Sequence, residues 1–470
     1  MSFRARARRY AAAVRLAIQG PPIHRLLRLL RRGRSQGVEY CDLCLQLGLG
    51  ERATTGMRDT PEASKLPSMA IRLAALLGKA DEAVELARSL AARLPDPAIP
   101  RRDIDAAMNC TAPLAPAVAL DLIRASGRPS AAEAALLLRL GERDACETHL
   151  EAHAELLGPQ RWLLWANLQP SAPRQLEGLN RFLQANGLSR VRLLDAAKAL
   201  AVGNIDVDGT PATPARNAVK LSVVMTCFDC ADYVEAAVRS VLGQHHRDLE
   251  LIAVDDASRD QTWQRLVAMS RTDTRLRPVR LKRNLGTYAA KNIGLALVQG
   301  DVIAFNDADD WSCPERFGLC LEVLRRRPWV QAVSCEYIRL QDDGLFWSSL
   351  VWPMQRRTPN SIVFRRQVLQ RIGYFDEHRF GSDGEYFTRL QVAFGPRSLY
   401  RLGRPLIVAA SRENSLMTAA ATGLDSRGRS QARARFQESW TERLLQQALA
   451  GASLYRAAQS GTAEAIAETT

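Results

Sequence analysis

The sequence lacks the long apolar runs that membrane-spanning helices need. Such a helix takes roughly 18 uninterrupted apolar residues, and candidates such as Met69–Leu77 and Ala112–Leu120 are about half that length. Secretory signal peptides typically have an apolar core followed by a small-residue cleavage site, and the arginine-rich N-terminus has neither. We therefore expect neither a spanning helix nor a secretory leader.

The sequence also lacks a compact disulfide framework. Its nine cysteines are an odd number spread along the chain, so free thiols in a reducing cytoplasm are expected. Two Cys-x-x-Cys pairs, Cys41/Cys44 and Cys227/Cys230, leave a four-thiolate zinc site as an alternative. The two pairs lie far apart, in regions of different character, so this alternative is the weaker one.

Acidic residues are scarce at the N-terminus. Residues 1–40 contain ten arginines and one acid, Glu39, whereas the whole chain has 64 Lys and Arg against 50 Asp and Glu. Local basicity of this kind favours an anionic partner, such as a phosphate-bearing substrate, a nucleic acid or an acidic membrane surface. In Ile23–Arg34, leucines are interleaved with arginines, which suits a short basic amphipathic helix lying on an anionic membrane, such as the inner face of the cell membrane, or on an anionic partner; a solvated terminus stays open as the alternative.

Composition divides the chain into segments of different character. The predicted segments are a basic arm (1–37), an all-α helical, repeat-like domain (38–200), a linker rich in Gly, Pro, Thr and Asp (201–218), an α/β domain (219–420), and a C-terminal helical segment with a tail (421–470). In the helical domain, apolar spacings of three and four predict helices and no strands. Leu-Gly phrases at Gly48, Gly78 and Gly141 leave open tetratricopeptide-like repeats or an irregular bundle.

After residue 218, β-branched runs alternate with amphipathic segments. The predicted strands are Leu221–Thr226, Leu249–Val254, Leu276–Leu281 and Val302–Phe305, and the predicted helices lie near Tyr233–Leu242 and begin at Asp260, Thr287 and Pro314. Alternation of this kind predicts a mostly parallel sheet covered by helices on both faces. Ligands bind outside the carboxyl ends of the strands in such sheets, so the residues that follow each strand are site candidates.

Acidic residues follow two of these strands. Asp255 and Asp256 end the second strand, and Asp307, Asp309 and Asp310 follow the fourth. Acids brought together repel one another unless a cation or the amide edge of a base lies between them. Carboxylate oxygens in an Asp-x-Asp pattern suit Mn²⁺ or Mg²⁺ shared with a diphosphate. An acidic turn that only caps the next helix is the simpler alternative.

A turn that suits phosphate binding lies between the two acidic clusters. It reads Arg283-Asn284-Leu285-Gly286-Thr287 and runs into a predicted helix. Gly286 permits a close backbone approach, and the N-terminus of the helix, with Lys291 one turn in, can hold phosphate oxygens.

These motifs, in this order, resemble the family 2 glycosyltransferases of the GT-A fold. The resemblance covers residues 221 to about 418 and is carried by five phrases. They are the opening strand and turn at 221–234, the phrase at 254–262, the phrase at 284–292, the Asp-x-Asp phrase at 307–310, and Gly381-Ser-Asp-Gly-Glu-Tyr-Phe-Thr-Arg-Leu at 381–390. The resemblance implies an α/β GT-A catalytic domain and an inverting, metal-dependent transfer of a monosaccharide.

The resemblance also implies a role for individual residues. Residues implied to bind the nucleotide sugar are Thr226, Phe228, Asp255, Asp256, Asn284, Gly286, Lys291, Asp307 and Arg412; those implied to hold Mn²⁺ or Mg²⁺ are Asp307 and Asp309. Asp383 matches the general base, and Ser382 stands where the family often has Glu. Asp383 acting only as a helix cap, and Arg412 in an ordinary surface loop, stay open.

The resulting hypothesis is a glycosyltransferase of cell-surface polysaccharide or glycoconjugate synthesis. Its expected partners are a nucleotide sugar, with a UDP-sugar as first choice, a saccharide or lipid-linked acceptor, and an anionic membrane surface. No nucleic-acid partner is expected, because an acid-rich site would repel a polyanion. The main alternative is a glycosyltransferase-like scaffold, or nucleotide-sugar-binding protein, without catalytic activity.

Overall fold

The computed structural model describes residues 21–96, 99–127, 129–209, 219–411, 424–425, 428–459 and 462–469. The chain divides into two compact units. The first comprises Met1–Leu168, Trp347–Met354 and Arg412–Ser453, and the second comprises Gln169–Phe346, Gln355–Ser411 and Leu454–Thr470. The domain limits derived from composition, including the linker at 201–218, stay predictions. No helix within the described ranges is long and apolar enough to cross a membrane.

The first unit is mainly helical. Its helices up to residue 168 are α1 (Pro22–Arg31), α2 (Val38–Leu47), α3 (Gly50–Arg58), α4 (Pro61–Ser64), α5 (Pro67–Leu76), α6 (Ala80–Ala91), α7 (Arg101–Thr111), α8 (Pro116–Ala125), α9 (Ala131–Arg139), α10 (Arg143–Ala152) and α11 (Arg161–Asn167). Proline at the first position of α1, α4, α5 and α8 starts these helices at little cost, because the first N–H has no partner inside a helix. The three Leu-Gly phrases end helices, since Gly48, Gly78 and Gly141 have φ of +75°, +74° and +82°.

Helix α1 turns its apolar side chains inward. Ile23, Leu26 and Leu27 are buried, whereas Arg28 and Arg31 are exposed. The apolar face therefore serves the core of the helical unit and is not available for insertion into a bilayer. Residues 1–20 of the predicted basic arm lie outside the described residues.

The second unit opens with helix α12 (Ala172–Ala185) and a ribbon of two antiparallel strands, β1 (Val191–Leu193) and β2 (Ile205–Val207). The expectation of no strands before residue 200 is therefore wrong. The side chain of Asn180 explains the ribbon: its Oδ1 accepts from the Val191 N–H at 2.8 Å, and its Nδ2 donates to the Val191 carbonyl at 2.8 Å. This contact across eleven residues fixes an extended segment that helical periodicity could not indicate.

The elements that follow along the chain form one large mixed sheet and the helices that pack against it. They are β3 (Leu221–Cys227), α13 (Ala231–Leu242), β4 (Leu249–Asp255), α14 (Thr262–Ser270), β5 (Leu276–Leu281), α15 (Thr287–Leu297), β6 (Val302–Phe305), β7 (Asp310–Ser312), α16 (Arg316–Arg326), β8 (Ala332–Gln341), β9 (Phe346–Trp347), β10 (Arg356–Arg357), β11 (Val363–Arg365), α17 (Arg366–Ile372), α18 (Ser382–Phe394) and β12 (Leu399–Ser411). Further elements along the chain are β13 (Leu424–Asp425), β14 (Gly428–Arg429), α19 (Gln431–Ala450), α20 (Thr462–Ala465) and β15 (Ile466–Thr469).

Strand order in the sheet is β15-β5-β4-β3-β6-β11-β8-β12-β7, with β9 and β10 attached to β8. Strands β5, β4, β3 and β6 pair in parallel, and β12 pairs in parallel with β8; β11, β7 and β15 pair antiparallel with their neighbours. Alternate residues of β3 enter separate cores: Val223 packs with α13 and α16, and Val224 packs with α15 and α18. The predicted α/β fold class, preceded by a helical region, is confirmed.

Candidate functional site

The candidate site lies at the carboxyl edge of the parallel strands. Strand β3 lies between β4 and β6, so the ends of all three strands reach the same edge. The pKa of the buried Cys227, at the end of β3, is affected by acids from both clusters. Its hydrogen bond with Cys230 and its burial raise the pKa of the thiol, and the negative charges of Asp255 and Asp309 raise that pKa further. The sheet therefore brings together acids that are more than 50 residues apart in sequence.

Asp256 organises the turn that precedes α15. Its carboxylate accepts hydrogen bonds from the backbone N–H groups of Leu285, at 2.7 Å, and Gly286, at 2.8 Å. Asn284 Nδ2 donates to the Asp256 carbonyl at 3.3 Å. Burial raises the pKa of Asp256 to about 6, although the two N–H donors oppose that rise. Gly286 has a φ of +92°, which favours glycine at this point of the turn.

Asp255, the residue before it, is held differently. The side chain is completely buried, and its Oδ1 accepts from the Ser258 N–H at 3.2 Å. Its Oδ2 lies 3.3 Å from Arg280 Nε in an ion pair but accepts no hydrogen bond within the described part of the chain. Arg280 lies over the ring of Trp263, with 5.6 Å from its guanidinium carbon to the ring centroid. A buried carboxylate oxygen with spare acceptor capacity can receive an N–H donor from a ligand.

Asp307 is clasped by two side chains. Lys291 Nζ donates to Asp307 Oδ1 at 3.2 Å, and Asn360 Nδ2 donates to Asp307 Oδ2 at 2.7 Å. Lys291 also donates to Asn360 Oδ1 at 3.0 Å and is only 2 % exposed. The ammonium group predicted to meet phosphates is therefore paired with the first acid of the Asp-x-Asp motif. Asn360 lies in a short 3₁₀ turn, Pro359–Ser361, and nothing in the sequence marked it as part of the site.

A buried arginine fixes the acidic turn after β6. Arg316 is completely buried and donates to the Phe305 carbonyl and to the side-chain oxygen of Asn306, both at 2.7 Å. Asn306 Nδ2 in turn donates to the carbonyls of Asp307, at 2.9 Å, and Asp310, at 3.0 Å. These contacts hold the backbone of the turn, which gives the acids a fixed place before any ligand arrives. Sequence reasoning missed this network, because arginine on a helix is most often a surface residue.

The acids of this turn concentrate negative charge. Loss of hydration raises the pKa of Asp310, and the charges of Asp309 and Asp307 raise it further, while Arg339 and Arg316 oppose the rise. Each Asp307 oxygen accepts one hydrogen bond from these partners, so lone pairs remain on both for a cation. The oxygen donors of Asp307 and Asp309 fit Mn²⁺ or Mg²⁺. Within the described ranges no three His, Cys, Asp or Glu side chains are grouped as a metal site, so other oxygens would have to complete the coordination.

Asp383 lies in the first turn of α18. The residue before the helix, Gly381, has a φ of +77°, and Asp383 Oδ1 accepts from the Gly384 N–H at 2.9 Å. Tyr288 is influenced by both Asp383 and Asp307, since burial raises the pKa of its phenol and the charges of these two residues add to this rise. Ser382, where the family often has Glu, is buried, and its hydroxyl has no hydrogen-bond partner within the described residues.

The other predicted residues lie at the same edge. Thr226 and Thr287 share a hydrogen bond between their hydroxyls at 3.1 Å, which joins the end of β3 to the start of α15. Phe228 follows β3 and is 39 % exposed, so its ring is available to a ligand. Arg412 lies outside the described residues. The fold therefore collects all the described candidates at one edge, whereas their individual roles stay predictions.

Residues 222–382 match the family model described as glycosyl transferase family 2. A glycosyltransferase of Bacillus subtilis (strain 168) provisionally named for teichuronic acid biosynthesis, TuaG, is 36% identical over 107 residues, which are 23% of this chain and 42% of that protein. An uncharacterized glycosyltransferase of Nostoc sp. is 33% identical over 108 residues, 23% of this chain and 33% of that protein. The Escherichia coli protein WfaP, a UDP-Glc:alpha-D-GlcNAc-diphosphoundecaprenol beta-1,3-glucosyltransferase, is 32% identical over 91 residues, 19% of this chain and 36% of that protein. The chain thus spans between a third and about two-fifths of the length of these relatives.

Proposed function

We propose that this chain transfers a monosaccharide from a nucleoside-diphosphate sugar to an acceptor hydroxyl, because residues 222–382 match the family model described as glycosyl transferase family 2. The observation that supports this most is the convergence of acids at one sheet edge. The charges of Asp307 and Asp383 both raise the pKa of the Tyr288 phenol, and the charges of Asp255 and Asp309 both raise the pKa of the Cys227 thiol. A scaffold without catalytic activity has no need to keep so many carboxylates together at the cost of their mutual repulsion.

The nucleotide end of the donor is assigned to the edge of β3 and β4. The buried Oδ2 of Asp255 can accept an N–H of the base, and the exposed ring of Phe228 can stack on its face. Asp256 acts through the turn at Asn284 and Gly286, whose backbone it holds beside the start of α15. The positive end of that helix then points toward the phosphates.

The diphosphate is assigned to the acidic turn and α15. Asp307 and Asp309 would hold Mn²⁺ or Mg²⁺, which neutralises charge on the departing nucleoside diphosphate. Lys291 pairs with Asp307 at 3.2 Å, and it would contact a phosphate oxygen if Asp307 held a cation. Arg412 is proposed as a further phosphate contact.

Asp383 is assigned as the general base of an inverting reaction. As the acceptor oxygen attacks the anomeric carbon, its proton passes to the Asp383 carboxylate, and the bond from the anomeric carbon to the diphosphate oxygen breaks. The electron pair of that bond leaves with the nucleoside diphosphate, so the sugar is transferred with inversion.

The names of the relatives support a substrate class. WfaP takes UDP-glucose and acts on a sugar carried by diphosphoundecaprenol, and TuaG is named for teichuronic acid biosynthesis. We therefore propose a UDP-sugar donor and a saccharide or lipid-linked acceptor in cell-surface polysaccharide synthesis, with the protein in the cytoplasm at the inner face of the membrane.

The proposed membrane contact depends on charge. Arg28, Arg31, Arg32 and Arg34 are exposed at the end of α1, whereas Leu26 and Leu27 of that helix are buried. Flotation with anionic vesicles should therefore be strong at low salt, lost at high salt, and lost when these four arginines are replaced by alanine. Flotation that persists in high salt would contradict attachment by these charges.

A release assay tests the proposed function. Purified protein with Mn²⁺ is offered UDP-, GDP- and dTDP-sugars, and free nucleoside diphosphate is measured, with an Asp307→Ala/Asp309→Ala double variant as control. Slow hydrolysis of one donor, abolished in the variant, is the expected result. No release from any donor, together with no metal-dependent nucleotide binding by calorimetry, would favour the non-catalytic scaffold.

A further inference from the structure

A segment near the end of the chain packs beside the helix that carries Asp383. The backbone N–H of Arg456 donates to the Ile372 carbonyl at 3.0 Å, and the Tyr374 N–H donates to the Arg456 carbonyl at 2.9 Å. Gly373, between the two, allows this approach, because a Cβ there would lie 1.9 Å from the Arg456 carbonyl oxygen. Residues far beyond the family match at 222–382 are thus built into the same unit.

The side chain of Arg456 joins a cluster of acids and arginines. It forms an ion pair with Asp376 at 2.7 Å and lies 3.8 Å from Glu385. Glu385 is completely buried and accepts from Arg389 Nε at 2.9 Å and from Arg389 Nη2 at 3.0 Å. Arg389 also donates to the carbonyl of Tyr374 at 2.7 Å. Arg389 and Arg456 therefore both contact the buried carboxylate of Glu385. Both also contact residues 372–376, which form the clamped segment.

This cluster is close to the proposed base in sequence and in space. Glu385 follows Asp383 by two residues in the first turn of α18. Phe375, inside the clamped segment, stacks on Tyr386 with 4.3 Å between ring centroids and lies 5.6 Å from Tyr288, the phenol whose pKa responds to Asp383. Any movement of the clamped segment would therefore be transmitted to the start of the helix.

We propose that Arg456 is a positioning residue that fixes the first turn of α18, and with it the carboxylate of Asp383. A buried carboxylate that loses one of its cationic partners keeps its desolvation cost, so it gains by moving toward water. Glu385 is completely buried and can reach water only by shifting the turn it shares with Asp383. A displacement of about 1 Å at a catalytic group can lower a rate by roughly 10². The assignment of Asp383 in this argument rests on the proposed function.

Arg456→Gln removes the charge and keeps much of the side-chain volume. Hydrogen exchange of the peptide spanning 382–390 should become faster in this variant, while the helical unit exchanges as in the wild type. Arg325→Gln is the matched control, because Arg325 is an exposed arginine that also forms ion-paired hydrogen bonds, to Glu322 at 2.8 and 2.9 Å. It should leave the exchange of that peptide unchanged. Unchanged exchange in Arg456→Gln would overturn the proposal.

Kinetics provide a second readout. In Arg456→Gln, kcat should fall roughly tenfold or more while the Kd of the donor stays within about twofold, because the donor contacts other elements. Arg456→Lys should recover part of kcat, and guanidinium ion at millimolar concentration should recover part of it in Arg456→Ala. A parallel loss of donor affinity, or no rescue, would mean that Arg456 serves only general stability. If the wild type acts on no donor, the proposed function fails, and hydrogen exchange still decides the role of Arg456.

Discussion

The pKa of Asp256 leads to a stability prediction of defined size. This carboxyl group has a usual pKa of 3.8, and burial raises its pKa in the folded protein to about 6. A carboxyl group with a raised pKa stabilises the fold while it is protonated; this contribution is complete below pH 3.8 and is lost as the pH rises through about 6. Across the full range the loss is about 3 kcal/mol, of which about 1.4 kcal/mol falls between pH 5 and pH 8.

Asp256→Asn should remove this part of the pH dependence, because asparagine does not titrate. Urea unfolding of wild type and variant is compared at pH 5, 6, 7 and 8, so that all other groups contribute equally to both and cancel in the difference. The variant should become more stable relative to the wild type by about 1.4 kcal/mol on going from pH 5 to pH 8. Its absolute stability is not part of the comparison, since the exchanged amide also alters the hydrogen bonds to Leu285 and Gly286.

Asp260→Asn is the matched control. Asp260 also accepts two backbone hydrogen bonds, from Ala231 and Thr262, both at 2.9 Å, but it is less buried than Asp256. Partial burial alone would raise the pKa of Asp260, but the hydrogen bonds it accepts outweigh this and lower the pKa. Its contribution is present above pH 3.8 and is lost only as the pH falls further, so its difference from the wild type should be flat between pH 5 and pH 8. A flat difference for Asp256→Asn as well would mean that Asp256 is ionised throughout this range and that burial does not raise its pKa to about 6.

Three further predictions concern ligands and the site's own contacts. Asn360→Leu should lower the free energy of unfolding by about 1.5 to 3 kcal/mol, because it removes hydrogen bonds to the charged Asp307 and Lys291, and urea unfolding that matches the wild type would contradict this. Phe228→Ala should weaken UDP binding by about 1 to 3 kcal/mol in calorimetry with no change of Tm, because its ring is partly exposed; unchanged affinity would remove it from the base site. Adding Mn²⁺ should raise the donor affinity of the wild type, and EDTA should reverse this gain. Asp309→Ala should show no such gain, and a gain retained in the variant would exclude Asp309 as a metal ligand.

Much of the α/β unit could be predicted because its signals are local. Strands β5 and β6 begin and end at the predicted residues, β3 and β4 extend one residue further, and α15 begins at Thr287 as predicted. The meeting of the two acidic clusters followed from one further rule, that the carboxyl ends of parallel strands share an edge. Apolar runs are set by side chains within a few residues of one another, so a single sequence reveals them.

The supporting residues could not be predicted because they act across long separations. Asn360 reaches Asp307 over 53 residues, and nothing in Thr-Pro-Asn-Ser distinguishes it from an ordinary turn. Arg456 reaches Asp376 and Glu385 from a segment whose composition indicated only a tail. The leucines of α1 illustrate a different limit. Leucines interleaved with arginines suggested a basic helix on a membrane, but the burial of Leu26 in the helical unit is decided by partners that this pattern does not reveal.

Asp383 is proposed to take the proton of the acceptor hydroxyl during sugar transfer, and Asp383→Asn is the decisive variant. With the donor identified by the release assay, turnover and donor binding are measured on wild type and variant under the same metal concentration. Turnover should fall by a factor of roughly 10² or more, with donor Kd within about twofold of the wild type, because asparagine keeps the shape of the side chain and loses the base. Unchanged turnover would remove Asp383 from the reaction and contradict the account.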